Sequence, residues 1–75
     1  MSLLEIKKGN RVCLQSVDWG YNLKKKLQDM GLTPGVMMTV LSAPSFGPMI
    51  VEVRGTRLAL GRGILAKIQV IPEGL

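Results

Sequence analysis

The sequence predicts a mainly β domain: a small, five-stranded, partly open barrel with one inserted α-helix over about residues 22–30 and a short helical corner over about 61–65. Three observations lead there. Several short segments alternate apolar and polar residues, the period of a strand with one buried face. A single segment, Leu23, Leu27 and Met30, repeats at helical spacing. Between helix and next strand stands Met30-Gly31-Leu32-Thr33-Pro34-Gly35, which combines a helix stop, a tight turn and a strand start.

The chain of 75 residues reads as a single domain, 1–75. A chain of this length buries only about 60–65% of its unfolded surface, so its core must be dense. With 47% apolar residues it has material for one without staples. One cysteine excludes an internal disulfide and suits a reducing compartment. No apolar run approaches the roughly 18 residues of a membrane span, and no signal-peptide core is visible. The expectation is a cytoplasmic protein that does not itself insert into a membrane. Ten basic against five acidic residues give a net charge of +5. That balance suits acidic partners, whether nucleic acid, anionic lipid or an acidic protein face, and equally serves plain solubility.

Lys8-Gly9-Asn10 is a turn after an apolar-then-basic start. Arg11 to Val17 alternates with Val12 and Leu14 on one face and Arg11, Cys13 and Gln15 on the other, a first strand. Asn22 is a suitable N-cap for the helix. The helix should stop with Gly31 in the left-handed C′ position and Leu32 folding back onto Leu27. Pro34-Gly35 fits the centre of a type II turn, from which Val36 to Leu41 leaves as the second strand. A loop with Pro44, Phe46 and Gly47 is closed by Pro48 and opens the third strand, Met49 to Arg54. Gly55-Thr56 is read as a two-residue hairpin turn, which places Arg54 opposite Arg57, Val53 opposite Leu58 and Val51 opposite Leu60. Arg57 to Leu60 is the fourth strand and Ala66 to Ile71 the fifth, ended by Pro72, with Ile68 and Val70 inward. So many short strands avoid long free edges by curling into a partly open barrel, with the helix over one mouth.

The chemistry of catalysis is missing. Without histidine, and with one cysteine and five scattered carboxylates, the nucleophilic triads and zinc-ligand spacings have no material. Gly61-Arg62-Gly63 lacks the ending of a phosphate-binding loop. No cofactor is expected, and a transition metal only weakly or in a site shared between chains. Cys13 reads as a small residue under the helix or at an edge, or else as a reactive thiol or an occasional metal contact. Trp19 and Tyr21 flank Gly20 before the helix, as a packed cap or as partner anchors. Lys24, Lys25 and Lys26 form a solvated helix face or a contact surface. Arg54 and Arg57, expected to face one another, would lose roughly 0.2–1 kcal/mol to repulsion. A local conflict of that kind points to a binding role.

Taken together, Leu27-x-x-Met30-Gly31-Leu32-x-Pro34-Gly35, Gly47-Pro48, Val51-x-Val53-x-Gly55, Leu58-Ala59-Leu60 and Ala66-Lys67-Ile68-Gln69-Val70 resemble the ferrous-iron transport protein A (FeoA) family. The resemblance runs from Gly9 to Val70. Where that family often carries a basic residue after the Leu60 position, this chain has Gly61 followed by Arg62. The resemblance implies an SH3-like barrel and an accessory role in bacterial ferrous-iron uptake. The implied partner is the FeoB membrane transporter with its cytosolic GTPase, so the chain would sit at the inner membrane only through that partner.

The leading expectation is therefore a non-catalytic binding module acting on the transporter through Trp19, Tyr21, Lys24, Lys25, Arg54, Arg57 and Arg62. A sharper form has one of Arg54, Arg57 and Arg62 entering the GTPase site in trans. The alternative is a small basic barrel that binds nucleic acid. Three aromatics, not interleaved with the basic residues along a strand face, weigh against it, and no nucleic acid is expected as partner.

Overall fold

The structure, a computed structural model, describes residues 1–18 and 21–73, with residues 21–23 described by their backbone alone. Five antiparallel strands follow one another in a single sheet: β1 (Arg11–Val17), β2 (Met37–Ser42), β3 (Met49–Val53), β4 (Thr56–Leu60) and β5 (Ile68–Pro72), in the order β4-β3-β2-β1-β5. The sheet curls without closing, since β4 and β5 share no hydrogen-bonded pair. Helix α1 (Tyr21–Asp29) is inserted after β1, and α2 (Arg62–Leu65) turns the corner between β4 and β5. A 3-10 turn over Leu3–Glu5 precedes β1.

Alternation places the core as expected. Val12, Leu14, Met38, Val40, Val51, Ile68 and Val70 are all buried, and no polar side chain is buried among the described residues. Two irregularities bend the sheet. The register of β1 against β5 slips between Leu14 and Ser16, so Gln15 is extra and Val17, opposite Ile68, packs against the core. A second slip between Val40 and Ser42 bends β2 against β3.

The helix stop is a complete Schellman motif. Leu32 N–H donates to the Leu27 carbonyl and Gly31 N–H to that of Gln28, both at 2.9 Å. Gly31 stands at φ +94°, and Leu27 and Leu32 are both buried. The next turn closes through Val36 N–H to the Thr33 carbonyl at 3.1 Å, with Gly35 at φ +92°. Gly35 N–H then donates to the Leu14 carbonyl and Leu14 N–H to that of Val36, which ties the turn to β1.

Several expectations need correction. The helix begins at Tyr21, so Asn22 lies inside its first turn instead of capping it. Met30 is exposed because the helical stripe ends with Leu27 and Met30 is already at the departing end. Cys13 is half-buried but not at an edge, because β1 is flanked on both sides by β2 and β5. Strands β2 and β5 run one to two residues later than their apolar patterns suggest, β2 ending at Ser42 and β5 beginning at Ile68.

The hairpin register differs most. The pairs are Val53↔Thr56, Glu52↔Arg57, Val51↔Leu58 and Met49↔Leu60, so the turn is Arg54-Gly55, not Gly55-Thr56. Both turn residues have positive φ, 53° and 81°, the signature of a type I′ turn. Arg57 therefore faces Glu52 and not Arg54. A shift by two residues keeps every side chain on its face, so hydrophobic pattern alone does not separate the two registers. The observed one replaces a like-charge pair by an opposite-charge pair, and in exchange puts Arg54 in the left-handed region.

Candidate functional site: the arginine hairpin

Arg54 sits at the exposed tip of the β3–β4 turn. The left-handed conformation costs an ordinary L-residue about 1–2 kcal/mol, and asparagine or glycine is the usual occupant. Arg57 lies three residues on, exposed on the outer face of β4. Around it the cross-strand register builds a row across the whole sheet: Glu73 beside Arg11, then Thr39, Glu52 and Arg57. The Arg11–Glu73 end is an ion pair at 3.5 Å with both side chains about half exposed, worth at most about 1 kcal/mol. Glu52 and Arg57 face each other without such contact, leaving the Arg57 guanidinium available to a partner.

Arg62 is not part of this cluster. It lies beyond the far end of β4, a strand length from the tip at about 3.4 Å per residue. There its guanidinium donates to the Pro44 carbonyl at 3.4 Å, and it borders a hollow of about 240 Å³ with Lys7, Lys8, Glu5 and an apolar floor that includes Ile6 and Leu65. Lys7 and Lys8 were not among the sequence candidates; their adjacency before the Gly9 turn was the available signal, but only the fold sets them beside Arg62. Lys24 and Lys25 are exposed on α1, bordering a shallow hollow with Gln28 and Asp29. Tyr21 opens α1, with its side chain not described, and Trp19 lies outside the described residues. The described candidates thus fall into three places: Arg54 and Arg57 on the β3–β4 hairpin, Tyr21, Lys24 and Lys25 on α1, and Arg62 at the α2 corner.

The outer face also sets Ile71, Cys13 and Met37 side by side across β5, β1 and β2. The Cys13 thiol lies 3.8 Å from the Leu14 carbonyl, a weak contact. Among the described residues no group of three or more cysteine and carboxylate side chains is placed to hold a metal. No described helix is long and apolar enough to cross a membrane.

Comparison with known proteins agrees with this architecture. The FeoA domain model matches residues 1–72. The chain belongs to the FeoA domain family. A curated protein of Methanocaldococcus jannaschii, which carries the provisional name Fe(2+) transport protein A, is 33% identical over 64 residues, 85% of this chain and 77% of its own length. The solution structure of FeoA from Chlorobium tepidum superposes with a TM-score of 0.90 at 32% identity, covering 99% of this chain and 71% of that one. The crystal structure of Stenotrophomonas maltophilia FeoA complexed with zinc, described as a prokaryotic SH3 domain protein, gives 0.82 at 25% identity, with 95% and 89% covered. The fold is the SH3-like barrel of this family, mainly β and incompletely closed.

Proposed function

We propose that this protein is a non-catalytic accessory module of ferrous-iron uptake that binds the cytosolic part of a FeoB-type membrane transporter. The observation that carries the reading is the family match over residues 1–72, which spans the whole barrel. The Fe(2+) transport name of the Methanocaldococcus jannaschii relative supports the pathway. The surface chemistry supports a binding role: a net charge of +5, and an arginine held in a costly backbone conformation at an exposed tip. Backbone strain tends to persist where the side chain it presents is used.

The contact is made by Arg54 and Arg57 on the β3–β4 hairpin, and Trp19 and Tyr21 are kept from the sequence as candidates for a second contact. Charge at such a rim chiefly speeds encounter and selects an acidic partner. Binding to the purified cytosolic part of the transporter, measured with alanine at each of the four positions, tests this. Weakening at the two arginines is expected; unchanged affinity in all four variants removes the patch. GTP turnover with and without saturating protein then separates an activating role from assembly alone.

A further inference from the structure

The two edges of the sheet are finished differently. The β5 edge is covered: Val70 N–H donates to the Met1 carbonyl at 2.7 Å, Ser2 bridges to Gln69, and Pro72 offers no donor. The β4 edge has no such cover. In a hairpin with a two-residue turn the flanking pair, Val53 and Thr56, exchanges hydrogen bonds, and bonded pairs then alternate. Thr56, Leu58 and Leu60 therefore turn their backbone groups toward β3, while Arg57 and Ala59 turn theirs outward. No described backbone group meets those of Arg57 or Ala59, and both residues are exposed.

Two of the usual deterrents to pairing are also missing from β4. It contains no proline, and its register with β3 runs without a bulge. What guards it is positive charge, Arg54 at the tip and Arg57 on the strand. That charge disfavours a second copy of this +5 chain and favours an acidic one.

We propose that the free edge of β4 docks an extended acidic segment of a partner protein, which adds to the sheet as a further strand. Main-chain bonds to Arg57 and Ala59 supply affinity. The residue opposite Arg57 lies within about 5 Å and is acidic; the one opposite Ala59 covers Ala59 and its β3 neighbour Ile50 and is bulky and apolar. The inference rests on the reading of the chain as a binding module, and it is tested without the transporter so that the two fail separately.

Amide exchange on the free protein comes first: the Arg57 and Ala59 amides exchange fast while Leu58 is protected, and protection of all three overturns the open edge. The labelled protein is then titrated with a synthetic peptide that carries glutamate and valine in turn at every second position, with threonine between them, and with a counterpart in which lysine replaces each glutamate. The acidic peptide is expected to shift and protect the Arg57 and Ala59 amides. Ala59→Pro, which removes an outward donor and no bond to β3, weakens it about tenfold. Arg57→Glu reverses the preference toward the lysine peptide without altering the backbone. Retained Leu58 protection shows that each variant is folded. Absence of binding, shifts centred away from β4, equal affinity for both peptides, or concentration-dependent pairing of β4 with itself each overturns the proposal.

Discussion

Replacing Gly31 by alanine tests the helix stop through the sign of the effect. An added Cβ at Gly31 meets no heavy atom within 4 Å, so crowding contributes nothing. What remains is backbone. At φ +94° an L-residue loses about 1–2 kcal/mol. The unfolded chain loses freedom when glycine becomes alanine, which returns about 0.4–1 kcal/mol. At the middle of both ranges the net is a destabilisation of about 0.8 kcal/mol, and for a domain of this size each kcal/mol lowers the melting temperature by about 4–8 °C. Gly63→Ala is the matched control. Gly63 lies in α2, its Cβ would also meet nothing within 4 Å, and its φ is outside the left-handed range. There alanine should stabilise by about 0.5–1 kcal/mol. Urea unfolding followed by far-UV circular dichroism measures both, with the slope against denaturant unchanged if only the native state is affected. A neutral or stabilising Gly31→Ala would refute the assignment of Gly31 as the left-handed C′ residue. If Gly63→Ala destabilised just as much, the contrast between the two glycines would fail with it.

Other consequences follow from single contacts. Arg54→Asn relieves the left-handed arginine and should raise stability by about 0.5–1 kcal/mol while weakening partner binding, read by denaturation and by titration side by side. Leu27→Ala removes the buried anchor of α1 and should cost about 2–5 kcal/mol, measured by the fall in urea midpoint. Breaking the exposed Arg11–Glu73 pair with Glu73→Gln should cost less than about 1 kcal/mol, an effect that fades as salt is raised.

The pattern of faces was legible in the sequence because a strand with one buried side must alternate. Val12, Leu14, Val51, Val53, Ile68 and Val70 all lie where alternation puts them. The stop at Gly31 and the turn at Pro34-Gly35 were legible because few residues tolerate those backbone angles. Register was not: a shift by two preserves every face, and the decision fell to charge pairing and turn geometry at Arg54-Gly55. The N-terminal segment was also opaque. Leu3 and Ile6 are buried, but so short an apolar stretch has no period to read. Its 3-10 turn is closed by Glu5, whose carboxylate accepts from Ser2 N–H at 3.2 Å. The bulge at Gln15 that carries Val17 toward the core likewise leaves no mark in composition. For the candidate site, residue types were visible and grouping was not. Arg62 looked like a companion of Arg57, yet β4 holds the two at opposite ends and pairs Arg62 with Lys7 and Lys8 around a separate hollow.

On the proposed function, this FeoA-domain protein meets a FeoB-type transporter through the arginine hairpin. The most direct measurement is an amide-resolved titration of the labelled chain with the purified cytosolic part of a FeoB-type transporter. Perturbations should concentrate on residues 54–59 and diminish with Arg54→Ala and Arg57→Ala. Perturbations centred instead on Lys24 to Asp29 of α1, or on the hollow around Lys7, Lys8 and Arg62, would contradict it, as would no perturbation at saturating partner.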